Sequence, residues 1–245
     1  MERQVDPTRR GFAQVAGAAG LVTLGGLWTP VSAAGRKGAK AKATTGAARD
    51  EAEESVTPPE DLMREHGVLD RVLLVYEAAM RKFDVSEDFD PAVITQSAQV
   101  IQEFIENYHE KSEEQQVFPR FVKANQMTDL VTTLLTQHRA GRKVTANILR
   151  LAPGSRQDGD DRRQLVAAMR SFITMYRPHA AREDTDLFPK LRSLVSQNEY
   201  DAMAEQFERD ERKNFGEDGF EKMVDRVAQI ERTIGIADLA KFTPT

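Results

Sequence analysis

His109-Glu110-Lys111-Ser112-Glu113-Glu114-Gln115-Gln116-Val117-Phe118-Pro119 returns 70 residues later as His179-Ala180-Ala181-Arg182-Glu183-Asp184-Thr185-Asp186-Leu187-Phe188-Pro189. Both copies read H-x-x-x-E-x-x-x-[VL]-F-P. The chain has four histidines in 245 residues, and the other two are also paired. Leu62-x-x-x-His66 with Val72 matches Leu134-x-x-x-His138 with Val144, at an offset of 72 residues. A scarce, metal-competent side chain found only at repeat-equivalent positions points to one site built from two related halves.

Residues four apart on a helix share a face. His109 and Glu113 therefore point the same way, and so do His179 and Glu183. If those faces are inward, each helix delivers an imidazole nitrogen and a carboxylate to a common axis. A buried, unpaired carboxylate costs several kcal/mol in desolvation, and two facing carboxylates cost more unless one stays protonated. One or two divalent cations remove that penalty and use all six side chains. A single His-x-x-x-Glu is an ordinary ion pair on a solvated face, but two copies followed by the same Phe-Pro are not explained that way. Phe118 and Phe188 read as core, and Pro119 and Pro189 as helix kinks or ends.

Outward from these segments the apolar spacing is helical from Pro58 on, with Leu62, Leu69, Val72, Leu73 and Tyr76 at three- and four-residue steps and no alternating strand run. Thr57-Pro58-Pro59-Glu60 supplies a hydroxyl cap, prolines in the opening turn and an acid at the positive end. Helices are expected over 59–83, 91–121, 128–151 and 160–195, then over 197–214 and 218–233, with Gly216 and Gly219 between the last two. Four long helices on short polar links predict an all-α, up-down-up-down four-helix bundle with additional C-terminal helices. A kink or bulge is expected at Pro178, which removes a mid-helix hydrogen bond. Its counterpart in the other half is Tyr108.

Composition narrows the chemistry. With no cysteine there are no disulfides, thiolate sites or Fe–S clusters, so a metal must be held by His and carboxylates. Four imidazoles and two carboxylates suit first-row metals of intermediate hardness. Two-histidine, one-carboxylate sets are associated with non-haem iron, while ligand type alone leaves zinc and manganese open. The net charge of −5 argues against nucleic acid, and the Lys/Arg cluster at 36–42 is too short to reverse that.

The first 56 residues read differently. Thr8-Arg9-Arg10-Gly11-Phe12, a weakly hydrophobic Ala/Gly-rich run to Trp28 and Val31-Ser32-Ala33-Ala34 have the parts of a secretory signal of twin-arginine type over 1–34. Residues 35–56 read as a flexible linker, 57–195 as the bundle and 196–245 as a helical extension. The expectation is export to the periplasm or beyond, with no stable membrane span after signal cleavage.

The series Glu65-His66, His109-x-x-x-Glu113, Gln137-His138 and His179-x-x-x-Glu183 resembles the hemerythrin-like, HHE cation-binding domains over about residues 60–195. That resemblance implies two non-haem iron ions, with His66, His109, His138 and His179 as terminal ligands and Glu113 and Glu183 bridging. Glu110 is a possible further ligand, and Tyr108 and Tyr176 are candidates to hydrogen-bond the site from behind. It also implies a small diatomic or peroxide ligand such as O2, NO or peroxide, or simple holding of iron, by a binding protein rather than an enzyme. The sequence departs from the oxygen carriers of that family at two points. Arg142 stands where they have a fifth histidine, and Glu183 follows His179 by four residues instead of five. The resemblance therefore does not extend to reversible oxygen carriage. A redox enzyme on the same centre and a metal-free interaction bundle are the alternatives. Ferritin-type Glu-x-x-His pairs occur here once only, at Glu106 and His109, which argues against that class.

Overall fold

The computed structural model describes residues 56–244. The expected signal and nearly all of the expected linker lie outside the described residues. Among those residues there are six helical rods and no strand. We label them α1 (Pro58–Asp84), α2 (92–123), α3 (Thr128–Leu151), α4 (159–191), α5 (Gln197–Phe215) and α6 (Gly219–Ile234). Among the described residues no helix is long and apolar enough to cross a membrane.

Local chemistry sets the ends. Thr57 accepts a bond from the Glu60 amide at the start of α1, and Asp158 caps α4 by accepting from the amides of Asp160 and Asp161. Ser196 and Glu199 form a reciprocal capping box on α5, which satisfies amides with no partner within the helix. Gly235 ends α6 with φ +88°, a left-handed value that glycine adopts without steric cost.

Helices α1 to α4 make the bundle; α1 packs on α2 and α4, and α3 does the same from the other side. Its core falls into two apolar blocks. One includes Val72, Tyr76, Phe104, Ile148, Leu165 and Phe172; the other includes Leu62, Phe118, Phe121, Leu134, Leu187 and Phe188. On each helix the metal-competent residues lie between the positions that feed these blocks, so the polar layer is sandwiched by hydrocarbon. Helix α6 lies along α1 and α2, tied by a bidentate Arg71–Glu231 pair at 2.9 and 2.7 Å. Helix α5 brings Phe215 against Phe104 and Tyr108.

Two expectations need correcting. The fourth helix ends at Leu191 rather than 195, because Leu191, Lys190 and their neighbours close into a turn that accepts the amides of Ser193 and Leu194. No bulge forms at Pro178, where the helix keeps α register to Arg182; it widens to a π turn at Glu183–Leu187. Its counterpart in α2, Glu113–Val117, does the same. In both, the Phe amide reaches back five residues, Phe118 to the Glu113 carbonyl and Phe188 to that of Glu183. The cause lies one residue further on. Pro119 and Pro189 have no amide hydrogen for the carbonyl four residues back, and their rings crowd it, so the turn opens. The duplicated Phe-Pro is thus a device that places a wide turn at each inward glutamate. Helix α2 has a further π stretch, Ile101–His109, with no equivalent in α4.

Candidate metal centre

One histidine from each bundle helix reaches the polar layer, joined by Glu113 and Glu183; none of the six is more than 4% exposed. All four imidazoles turn Nε2 inward. His66 Nε2 lies 3.1 Å from His109 Nε2 and 3.4 Å from Glu183 Oε2. Glu113 spans the two halves, with Oε1 3.7 Å from His109 Nε2 and Oε2 3.4 Å from His138 Nε2. Glu183 also meets both halves, but through the single oxygen Oε2, at 3.1 Å from its own His179 and 3.4 Å from His66. Two triads result, His66/His109/Glu113 and His138/His179/Glu183. The sequence-predicted six therefore converge.

Each Nδ1 faces outward onto an oxygen from a neighbouring helix. His109 meets Glu65 at 2.6 Å, His138 meets Glu114 at 3.1 Å, His179 meets Gln137 at 2.8 Å and His66 meets Asp184 at 2.8 Å. The partners close a ring, α1 to α2 to α3 to α4 and back to α1. Such bonds fix the ring's orientation and, where the partner is a carboxylate, raise the basicity of the ligating nitrogen. Phe118 stacks on His138 and Phe188 on His66, each with centroids 5.6 Å apart.

With each Nδ1 engaged outward, four Nε2 atoms face one another across the layer. Both oxygens of Glu113 and of Glu183 are buried without a hydrogen-bond partner. Such a concentration of acceptors needs protons or cations to hold it together. Protons alone leave a compromise. Burial opposes charge on His66 and His138, but Asp184 with Glu183, and Glu113 with Glu114, outweigh it and raise both to about 10. His109 is driven by burial to about 4. Glu113 is raised, first by burial and then by the charge on Glu183. Glu183 is held well below the carboxylate range; burial opposes this, but His179 and His66 prevail. The donor set, all nitrogen and carboxylate oxygen, fits a pair of first-row cations.

Glu110 does not enter either triad. The Tyr176 hydroxyl donates to its Oε1 at 2.5 Å, and Arg142 meets its Oε2 at 2.6 Å. It groups instead with Glu114 and His138. Arg142, at the position of the missing fifth histidine, also reaches Glu114 at 2.7 Å. Tyr176 leans on His179 with centroids 5.3 Å apart. Tyr108 lies beside Glu65, which burial raises to about 8 against the pull of that hydroxyl. Gly141 makes room for Tyr176, since a Cβ there would meet two ring carbons at 2.8 Å.

Sequence reasoning did not assign roles to Glu114, Asp184, Glu65, Gln137 or Arg142. The signal was adjacency: the first four each sit one residue from an inward ligand.

A four-helix bundle that gathers two buried His/Glu triads, an arrangement consistent with a binuclear site, is a protein of the cation-binding class. The hemerythrin HHE cation-binding domain model matches residues 57–191, and the chain belongs to that family. It is 45% identical over 196 residues to an uncharacterized protein of Mycobacterium bovis, covering 80% of this chain and 77% of the relative. Uncharacterized proteins of two Mycobacterium tuberculosis strains match with the same identity and coverage. No solved structure matches the chain.

Proposed function

We propose that this is an exported non-haem di-iron protein that binds or reacts with a small oxidant (dioxygen, nitric oxide or peroxide) or holds iron. His66, His109, His138 and His179 would end-ligate the two ions, and Glu113 and Glu183 would bridge them. The observation that carries this reading is the set of four partnerless carboxylate oxygens facing four inward Nε2 atoms. Iron held there would supply one-electron redox steps and coordination positions open to a small ligand.

The chain's own residues do the rest. Glu65, Glu114, Gln137 and Asp184 fix the imidazole planes. Phe118 and Phe188, buried beside His138 and His66, keep water off those rings. Arg142 occupies Glu110 and Glu114, so its helix turn offers the centre no fifth imidazole, which favours reaction or storage over reversible oxygen carriage. Export rests on Arg9-Arg10 with the apolar and small-residue runs that follow.

Elemental analysis and an optical spectrum of the full chain test the reading. About two irons per chain with an oxo-bridged ferric spectrum are expected, and azide or nitric oxide should perturb the reduced form. Glu113→Ala and Glu183→Ala should each lower metal content, while Glu77→Ala, which removes only a pair with Arg177, should not. Unchanged iron in both bridge variants would refute the assignment.

A further inference from the structure

The duplication relates His66 to His138 and His109 to His179, yet the charges behind the two halves differ. His66 and His109 are backed by carboxylates, Asp184 at 2.8 Å and Glu65 at 2.6 Å. Among the described residues neither carboxylate is paired with a Lys or Arg at ion-pair distance, though Arg64 acts on Glu65 from further off. Glu211 adds negative charge beside Glu65. His179, by contrast, is backed by the neutral amide of Gln137 at 2.8 Å. His138 is backed by Glu114 at 3.1 Å, but that carboxylate is shared with Arg142 at 2.7 Å and Lys111 at 2.9 Å. Position by position, α1 carries Glu65 and Asp70 where α3 carries Gln137 and Arg142.

A carboxylate behind an imidazole makes its other nitrogen a stronger donor. Negative charge that no Lys or Arg offsets also favours a more highly charged cation, at the partly exposed Asp184 and at buried Glu65 once a bound cation draws off its proton. We propose that the outer ring makes the two metal positions unequal: the His66/His109 position favours the oxidised ion, and the His138/His179 position is reduced first. Gln137, Asp184, Glu65 and Arg142 are the positioning residues that set the difference. The half-reduced centre is then a stable state, and the chain can give or take electrons one at a time. This rests on the binuclear iron reading above.

The test is a stepwise anaerobic reduction of the iron-loaded full chain, followed by its electron paramagnetic resonance and optical spectra, with iron counted in the same sample. Two irons per chain and a half-reduced signal that dominates at one electron are expected. The comproportionation constant should be on the order of 100 or more, equivalent to a separation of roughly 120 mV at 59 mV per tenfold. Gln137→Glu, which puts a carboxylate behind His179, should lower that constant at least tenfold. Asp184→Asn should lower it too, acting on a partly exposed side chain should the first variant not fold. Glu77→Gln, on the bundle surface, should leave it unchanged. Both positions reducing together in the parent protein, or a separation that Gln137→Glu leaves intact or widens, would overturn the proposal. Far fewer than two irons in the parent protein would instead fell the binuclear reading beneath it.

Discussion

Replacing Gly141 by alanine sets two ordinary effects against each other and shows which one governs this helix. In the middle of an exposed helix the change would be stabilising by about 1 kcal/mol, because glycine is the costlier residue there. At Gly141 the added Cβ meets Tyr176 Cε2 and Cζ at 2.8 Å and comes closer still to the hydroxyl. Tyr176 is 1% exposed and stacked on Phe172 with centroids 4.3 Å apart, so it has little room to move away. Forcing a methyl group into a packed core costs about 1–3 kcal/mol. Displacing the hydroxyl also breaks its bond to Glu110, a loss of about 1.5–3 kcal/mol for a bond to a charged group. The sum, less the helix gain, is a destabilisation on the order of 2–5 kcal/mol, which for a chain of this size lowers Tm by roughly 5–15 °C. Gly67→Ala is the internal control. Nothing lies within 4 Å of a Cβ there, and the position is exposed on α1, so that variant should gain up to about 1 kcal/mol. Thermal and urea unfolding of the two variants beside the parent measures both. If Gly141→Ala is as stable as the parent, Tyr176 is not held where the structure puts it.

Other outcomes follow from the same centre. Without metal, His66 and His138 carry protons at pH 7, being raised to about 10, and ligation requires those Nε2 lone pairs. Loading should therefore release about two protons, one for each ion, so the apparent affinity for each ion should fall roughly tenfold per unit of pH decrease near neutrality, and the product of the two roughly 100-fold; release of less than one proton, read with an indicator dye in weak buffer, contradicts this. Asp61 is raised to about 7, by burial first and then by Glu65 and Glu211. Its contribution to stability is thus complete below the ordinary aspartate range and is lost as pH rises through 7. Asp61→Asn should gain on the order of 2 kcal/mol at pH 8 and nothing at pH 4, and equal gains in urea titrations at both pH values would exclude that cause. Pro189→Ala returns the amide whose absence opens the turn at Glu183, so the helix can close and re-aim the carboxylate. Metal retention against a chelator should weaken on the order of tenfold, and unchanged retention would mean the proline does not set the turn.

Much of this was legible in the residues. The periodicity from Leu62 to Tyr76, the caps at Thr57 and the glycines at 216 and 219 placed six helices within a few positions of where they lie. Four paired histidines and two glutamates foretold the inward set, because i, i+4 spacing fixes a face whatever the neighbours do. What stayed hidden depended on contacts between helices. Glu110, next to His109, stood as a possible further ligand beside Glu113. Only packing against α3 and α4 shows Arg142 and Tyr176 taking its oxygens. Pro178 and Pro189 were equally plausible as the point where α4 gives way, since a missing amide marks both and only the surrounding packing selects one.

The outer ring, in hindsight, follows from helix geometry. Successive residues on a helix are about 100° apart, so a neighbour of an inward ligand points off the axis, toward the flank that faces one adjacent helix. Whether that flank lies clockwise or anticlockwise depends on whether the neighbour precedes or follows the ligand, and the sense reverses when the helix runs the other way. An up-down-up-down bundle can therefore close a ring in one sense only if alternate helices use alternate sides of the ligand. This chain does so. Helices α1 and α3 use the residue before, Glu65 ahead of His66 and Gln137 ahead of His138. Helices α2 and α4 use the residue after, Glu114 behind Glu113 and Asp184 behind Glu183. Exchanging the order in one pair, as Glu65→His with His66→Glu, keeps composition and charge but turns both side chains to the wrong flanks. That double variant should fold with its apolar blocks intact and lose metal at the His66/His109 position. If it retained two ions per chain, the ring would be an accident of packing and not the frame that aims the ligands.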